Sequence, residues 1–239
     1  MRTFPFSQTL SRKGTGSIKW EKYSGKEVLP MWVADMELAT SDKILAAMKD
    51  RLEHPILGYT TATDTLKKVV TDYLQQHHQW QIDPDWLVWL PGVVPGLSAL
   101  TSLLAPDDQI MVFTPVYHPL LLIPQRYRHT RVDVPLRYED HRWHIDFDAF
   151  ERSINTHCRM LFLCSPHNPV GTLFTEQELT RLAQICADNN ILLISDEIHC
   201  DLVLDTQRQH VTTGRVAGDT LHNLITLMSP SKTFNLAGA

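Results

Sequence analysis

The feature that most constrains the fold is a series of short apolar runs, separated by helical patterns, along the second and third thirds of the chain. Turn-forming residues follow the runs. The predicted strands are residues 86–90, 109–113, 130–136, 159–164, 191–195 and 223–228. Short buried runs that alternate with helices indicate a mostly parallel sheet with helices on both faces.

Apolar residues at helical spacing predict the intervening helices at residues 41–53, 64–77, 97–104, 147–154 and 175–189. The last of these has the strongest start signal, because Thr175 and Glu178 have the spacing of a capping box. Residues 1–30 are polar and rich in Gly, Ser and Lys, which suits an irregular arm.

Composition excludes several classes of protein. The 239 residues carry a net charge of −5 without a basic run, so we expect no nucleic-acid partner. We also expect no membrane span and no signal peptide, because no apolar stretch has the necessary length. The four cysteines form no CxxC pair, which indicates buried thiols and a cytoplasmic protein. The histidines show no metal-ligand spacing, so no metal site is predicted.

Residues with useful chemistry follow the predicted strands, where ligands bind in parallel sheets. The turn at residues 91–95 opens a helix, whose free amides suit a phosphate, although many ordinary turns have this composition. Tyr117 could stack on a flat ring or pack in the core. Asn168 offers a donor and an acceptor in a loop made rigid by prolines, or it only forms the turn.

Two further positions complete this set. Asp196 and Glu197 end a buried strand, where carboxylates are costly unless a positive charge opposes them. A protonated ring nitrogen would do so; a helix cap or a surface turn is the alternative. Lys232 stands between Ser231 and Thr233 and is a candidate Schiff-base lysine, or a solvated one. Together, a phosphate turn, an aromatic ring, an amide, an acid and an amine match pyridoxal 5'-phosphate (PLP).

Six segments carry a resemblance to a known family: MWVADM (31–36), GYT (58–60), GVVPGL (92–97), SPHNPVG (165–171), DEIHCD (196–201) and SPSKTFN (229–235). With them the chain resembles the fold-type I PLP enzymes of the class I/II aminotransferase family. Within that family it is similar to the MalY/PatB-type cystathionine beta-lyases, a carbon–sulfur (C–S) lyase branch.

The resemblance implies an α/β architecture, the large domain of the PLP-dependent transferase (aspartate aminotransferase-like) fold. A mostly parallel sheet would be sandwiched by helices, with an N-terminal piece of a small domain. Residues 1–48 would form the arm and part of the small domain, and residues 49–239 the large PLP-binding domain. The chain ends seven residues after Lys232, whereas family chains continue. The resemblance therefore implies a C-terminally truncated gene product or a fragment.

The resemblance also implies a role for each matching residue. Lys232 would hold PLP as a Schiff base, Asp196 would pair with the pyridine nitrogen, Asn168 would bind the phenolic oxygen, and Tyr117 would stack on the ring. The phosphate would be held by the backbone of Val93 and Val94, by Ser229 and Ser231, and by Tyr59 from the neighbouring subunit of a homodimer. His199 would lie near the phenolic oxygen, and Ala34 and Asp35 near the substrate. Two departures are small: Gly96 replaces the usual Ala, and Glu37-Leu38 replaces Asp-Phe.

The implied reaction is PLP-dependent beta-elimination. An amino-acid substrate such as cystathionine, or a related cysteine S-conjugate, would lose its sulfur group as a thiol and leave pyruvate and ammonia. Lys232 would remove the α proton. Two alternatives stay open: an aminotransferase that uses the same lysine, and a truncated inactive relic or regulatory binding protein.

Overall fold

The computed structural model describes residues 10–238. Residues 1–9 and residue 239 lie outside the described part, and so does the start of the predicted arm, where no signal peptide was expected. The chain divides into two compact units. One is Thr61–Ser229, called here the sheet unit; the other combines Met1–Thr60 with Pro230–Ala239 and is called the arm unit. The predicted domain boundary after residue 48 stays a prediction.

A five-stranded sheet forms the centre of the sheet unit, in the order β2-β1-β5-β6-β7, and all its pairings are parallel. Its strands are β1 (Gln109–Thr114), β2 (Thr130–Pro135), β5 (Cys158–Cys164), β6 (Leu192–Asp196) and β7 (Leu224–Leu227). Between β2 and β5 the chain forms a small antiparallel pair, β3 (Arg137–Glu139) and β4 (Arg142–His144). The predicted parallel sheet is confirmed, and the short pair is an addition to it.

Helices cover both faces of this sheet. They are α4 (Val93–Leu100), α5 (His118–Arg126), α6 (Phe147–Ser153), α7 (Glu176–Asp188) and α8 (Thr213–Val216); α3 (Asp64–His78) also belongs to the sheet unit. Alternate residues of β5 face opposite sides: Leu161 belongs to one core cluster with α6 and α7, and Phe162 to the other with α4 and α5. Because both faces are buried, β5 reads in the sequence as a continuous apolar run.

The predicted capping box at the start of α7 is present. The hydroxyl of Thr175 accepts a hydrogen bond from the Glu178 amide at 3.2 Å, and a Glu178 carboxylate oxygen accepts one from the Thr175 amide at 2.7 Å. Each side chain thus satisfies an amide that the first turn leaves without a helical partner. This cap fixes where the chain leaves the loop after β5.

One predicted strand is wrong. Residues 84–86 form a 3₁₀ turn and residues 87–90 are irregular, although they are apolar. Val88 is 78% exposed, so this run has no packed environment in the sheet unit. An apolar run becomes a strand only where a neighbouring strand satisfies its backbone groups, and the sequence pattern does not reveal such a neighbour.

Two helix predictions need correction. Helix α4 begins at Val93, four residues before the predicted start, because Pro95 lies in the first turn, where a proline is tolerated. Helix α5 was not predicted, since Pro119 and Pro124 interrupt its pattern; Pro119 lies in its first turn and Pro124 inside it. The departure at Gly96 has a packing explanation: a Cβ there would lie 2.9 Å from a methyl carbon of Leu90.

The arm unit contains α1 (Ile18–Glu21), α2 (Asp42–Glu53) and α9 (Pro230–Thr233). Helix α2 starts as predicted, with Ser41 as its cap, and all its residues are at least partly exposed. Polar contacts hold the arm: Lys19 pairs with Glu37 at 2.7 Å and Arg12 with Asp35 at 2.8 Å. Within residues 10–238, the structure contains no helix with the length and hydropathy that a membrane span requires.

Candidate functional site

The carboxyl ends of the parallel strands bring several predicted site residues to one edge of the sheet unit. Tyr117 follows β1, Asn168 follows β5, and Asp196 is the last residue of β6. Strand β5 lies between β1 and β6, so their ends are neighbours. The Tyr117 amide donates to the Asn168 carbonyl oxygen at 2.8 Å. The pKa of Tyr117 is raised, chiefly by burial and further by the negative charge of Asp196.

Asp196 is the most unusual group at this edge. Its side chain lies at the end of a fully packed strand, and the residue is 4% exposed. One carboxylate oxygen accepts a hydrogen bond from the Ile198 amide at 3.2 Å. Burial, together with the charge of Glu197, raises the pKa of Asp196 to about 7, against the weaker opposing effect of that hydrogen bond. Among the residues of the sheet unit, no cationic side chain forms an ion pair with Asp196.

The neighbouring acid, Glu197, is fully buried but well satisfied. Its carboxylate accepts hydrogen bonds from the Ser195 hydroxyl at 2.8 Å and the Thr213 amide at 2.9 Å, and it lies 2.8 Å from His210 Nε2. Burial alone would raise the pKa of Glu197, but these donors outweigh burial and lower it. The two acids that the sequence presents as a pair therefore differ: Glu197 is compensated by several donors, whereas Asp196 accepts a hydrogen bond from the Ile198 amide but has no cationic partner in the sheet unit.

His167 ties two of the loops together, a role that the sequence did not suggest. Its Nε2 lies 2.8 Å from the Pro115 carbonyl oxygen, and its Nδ1 lies 3.1 Å from the Cys164 carbonyl oxygen. The ring is buried, and burial lowers its pKa despite these two acceptors. The histidine thereby joins the segment that carries Tyr117 to the segment that carries Asn168. Only a distance in space, not a spacing in the sequence, could reveal this link.

The predicted phosphate turn has the geometry of a helix start without a side-chain cap. Gly92 is the N-cap residue of α4, with φ +147°, and it has no side chain that could accept from the first-turn amides. Val93 and Val94 contribute two of these amides. The helix dipole adds positive potential at this end. Ser229 is the last residue of the sheet unit and lies two positions after the end of β7.

Lys232, Ala34 and Asp35 come together in the arm unit. The Lys232 Nζ atom donates to the Ala34 carbonyl oxygen at 3.1 Å. The carboxylate of Asp35 pairs with Arg12, and its carbonyl oxygen accepts from Lys19 at 2.7 Å. One of the two residues predicted to lie near the substrate, Ala34, thus contacts the predicted lysine, although 198 positions separate them.

Asn235 supports this arrangement and was not singled out from the sequence. Its side-chain oxygen accepts from the Met36 amide at 3.2 Å, and its side-chain nitrogen donates to the Met36 carbonyl oxygen at 3.3 Å. The two-way contact joins the MWVADM and SPSKTFN segments. The remaining predicted residues are placed as follows: His199 lies in the turn after β6, Ser231 in α9, and Tyr59 in an irregular, fully exposed stretch.

The fold and the strand-end residues define a class of protein, the PLP-dependent transferases of the aspartate aminotransferase-like fold. The structure is similar to cystalysin from Treponema denticola, which was solved with a PLP cofactor, with a TM-score of 0.93 and 35% identity over 99% of this chain. It is also similar to the PLP-bound C-S lyase from Staphylococcus hominis, with a TM-score of 0.92 and 32% identity over 99% of this chain. The predicted fold class is confirmed.

The chain belongs to the aminotransferase class I and II family, which matches residues 26–239. Among curated relatives it is 36% identical, over 98% of its length, to cystathionine beta-lyase PatB from Bacillus subtilis (strain 168). The resemblance to the MalY/PatB branch is therefore confirmed. The chain spans 62% of that relative, 62% of cystalysin and 61% of the S. hominis lyase.

Proposed function

We propose that the protein is a PLP-dependent C–S beta-lyase that cleaves cystathionine or a related cysteine S-conjugate to a thiol, pyruvate and ammonia. We propose Lys232 as the catalytic residue and PLP as the cofactor. The substrate is a small amino acid, and the proposal includes a cytoplasmic homodimer. The proposal extends to the whole protein what the names of its relatives state about those relatives.

The observation that carries this proposal is the state of Asp196. A buried carboxylate with a pKa near 7, and without an ion pair to a cationic side chain of the sheet unit, is costly to keep charged. A cofactor ring with a protonated nitrogen supplies the missing positive charge. The uncapped start of α4 fits the phosphate of the same cofactor by its amides and dipole. The donor set of the sheet edge therefore fits PLP.

Each residue then has a defined task. PLP, when bound, supplies an electron sink for the carbanion that forms at the substrate α carbon. Lys232 Nζ holds the cofactor and moves the α proton, since a free amine placed beside the α carbon serves as a general base. The carboxylate of Asp196 keeps a proton on the ring nitrogen. Asn168 donates its side-chain NH₂ to the phenolic oxygen, and Tyr117 covers one ring face.

The remaining residues bind and orient. Val93 and Val94 amides and the Ser229 and Ser231 hydroxyls bind the phosphate, and His199 lies near the phenolic oxygen. Ala34 and Asp35 line the substrate side in this proposal. The hydrogen bond from Lys232 to the Ala34 carbonyl oxygen supports this placement.

Tyr59 supports the proposed homodimer. It is fully exposed, with 109% relative exposure, and its neighbours Ile56 and Leu57 are each 68% exposed. An exposed aromatic residue beside exposed aliphatic residues is typical of a surface that meets another subunit. In the proposal, Tyr59 contributes its hydroxyl to the phosphate of the partner subunit.

Absorbance spectroscopy tests the cofactor and its anchor. The purified chain mixed with PLP should develop the visible band of a protonated Schiff base. Lys232→Ala should abolish the band, whereas the control Lys43→Ala, an exposed lysine of α2, should keep it. Borohydride reduction followed by peptide mass analysis should place the label on Lys232. A label on another lysine would contradict the assignment.

Product analysis separates the lyase from the aminotransferase. The protein as expressed from its gene, loaded with PLP, should release pyruvate from cystathionine without an added 2-oxo acid. An aminotransferase would instead need the 2-oxo acid and would convert it into a new amino acid. A protein that binds PLP on Lys232 yet forms neither product would favour the regulatory or inactive alternative and overturn the lyase proposal.

A further inference from the structure

A second group of ligand-type side chains lies in the sheet unit, apart from the residues of the proposed reaction. His78 is the last residue of α3, and Cys200 and Asp201 lie in the turn after β6. The potential ligand atoms of these three residues all lie within 4.8 Å of one another. His78 Nε2 is 3.1 Å from a carboxylate oxygen of Asp201. In the described part of the chain, this is the one such group of three or more.

The group is buried and its surroundings are negative. His78 is 6% exposed and Cys200 is 7% exposed. The carboxylates of Asp201 and Glu197 interact electrostatically with Cys200, and their negative charges favour a cation at this place. A divalent cation bound to one thiolate and one carboxylate would leave these ligands and the metal electrically neutral.

We propose that His78 Nε2, Cys200 Sγ and the Asp201 carboxylate bind a divalent transition-metal ion, and that Zn²⁺ fits best. Imidazole and thiolate ligands suit zinc, whereas Ca²⁺ and Mg²⁺ take oxygen ligands. On binding, the Cys200 thiol gives one proton to solvent and forms a sulfur–metal bond. His78 binds as the neutral ring, so its Nε2 lone pair faces the metal and no longer the carboxylate.

The geometry needs a small adjustment. Zinc–ligand bonds of about 2.0–2.3 Å at tetrahedral angles put ligand atoms roughly 3.3–3.8 Å apart. The His78–Asp201 distance of 3.1 Å is already close to this value. The widest separation, up to 4.8 Å, must shrink by about 1 Å, which a rotation of one side chain can provide. Water or the hydroxyl of Tyr73, which hydrogen-bonds to Asp201, can take the fourth position.

No sequence pattern indicated this group. The prediction of no metal site rested on the absence of closely spaced ligands, and 123 positions separate His78 from Asp201. The alternative reading is a closed, metal-free network, in which Asp201 accepts hydrogen bonds from His78 and Tyr73. The Cys200 thiol also hydrogen-bonds to Asp201 in that network, so the two hypotheses differ in whether its sulfur binds a metal ion.

Cobalt(II) distinguishes them, since it takes zinc's place and reports its ligands by its spectrum. The 239-residue chain, without a polyhistidine tag and kept reduced, should bind one equivalent of cobalt(II). The spectrum should show the near-ultraviolet thiolate-to-cobalt band and the visible bands of tetrahedral coordination. Zn²⁺ should displace the cobalt. Cys200→Ala should abolish the thiolate band, and His78→Ala should weaken binding by more than about 100-fold, since even outer-shell changes cost 10–100-fold.

Two matched controls should leave cobalt binding unchanged. Cys186→Ala removes another buried free cysteine, and His77→Ala removes the exposed histidine next to His78. If a variant does not fold, zinc-edge X-ray absorption on the wild-type chain decides, with one sulfur at about 2.3 Å expected among the ligands. A sulfur-free metal environment, or cobalt binding that survives Cys200→Ala at wild-type affinity, overturns the proposal.

Discussion

The sheet unit and the arm unit place their acidic groups in opposite environments. In the sheet unit, Asp196 and Glu197 are buried at the end of a packed strand. In the arm unit, Asp35 and Glu37 keep partial exposure, and each is paired with a cation, Arg12 and Lys19 respectively. The apolar residues show the same contrast, because Leu161 of β5 is fully buried while Leu57 of the arm is 68% exposed.

The contrast teaches where a substitution should matter. Burial removes water from both apolar and charged groups, so contacts in the sheet unit should contribute strongly to the free energy of unfolding. Contacts near the surface compete with water and should contribute little. Four measurements test this contrast between the units.

The largest effect should come from the core of the sheet. Leu161→Ala should lower the free energy of unfolding by about 2–5 kcal/mol, because it removes a fully buried side chain and leaves a cavity. Leu57→Ala, the matched change in the arm unit, should cost less than about 0.5 kcal/mol. Urea unfolding followed by tryptophan fluorescence measures both. Equal losses would show that Leu57 is packed in solution, against the contrast between the units.

A smaller effect should follow from the loop link of His167. His167→Phe keeps an aromatic ring but leaves the Pro115 and Cys164 carbonyls without this partner, at a cost of about 1–3 kcal/mol. His118→Phe, the same change at an exposed histidine, serves as the control for stability and should be nearly neutral. PLP affinity should also fall for His167→Phe, since Tyr117 and Asn168 lose their common support. Unchanged stability would mean that the two loops hold their positions without the ring.

The pH dependence of stability should reveal Asp196. Its pKa is raised from 3.8 to about 7 by burial, so between these values the folded chain without PLP binds more protons than the unfolded chain. The stabilising contribution is therefore complete below pH 4 and is lost as the pH rises through about 7, by up to about 1.4 kcal/mol per pH unit. The free energy of unfolding, measured by thermal unfolding at several pH values, should fall more steeply with rising pH for wild type than for Asp196→Asn, by this amount.

The comparison with Asp196→Asn is needed because histidines change charge in the same pH range, and they are the same in wild type and variant. Glu197 does not interfere. Because its pKa is lowered in the folded chain, its stabilising contribution is complete above the ordinary pKa of glutamate and is lost only as the pH falls through the lowered pKa. Parallel curves for wild type and Asp196→Asn would mean that Asp196 is not the buried, uncompensated acid that the structure describes.

The smallest effect should be found at the arm. Arg12→Met removes the pair with Asp35 and the hydrogen bond to the Met36 carbonyl, and should cost about 1 kcal/mol or less. Chemical unfolding at low and high salt should detect it, with the difference between variant and wild type shrinking at high salt. A loss as large as that of Leu161→Ala would remove the distinction between the units.

Local patterns succeeded where the chain neighbours themselves carry the interaction. The capping box of Thr175 and Glu178 joins residues three positions apart, and the helical starts at Ser41 and Asp64 follow the same logic. Apolar runs identified five sheet strands for a similar reason; in β5, for example, burial on both faces is written into consecutive residues. The run at residues 86–90 failed because a strand also needs a neighbour, and no local pattern records one.

Periodicity, turn chemistry and motifs are local properties, so the amino-acid sequence predicted the parallel α/β fold, the family and the order of the candidate residues. Which groups meet across long stretches of chain depends on the tertiary structure. It gave Glu197 its partners and left Asp196 without a cation in the sheet unit, joined two loops through His167, and gathered His78 with Cys200 and Asp201. Burial and charge compensation depend on distances in space, and a linear sequence does not contain those distances.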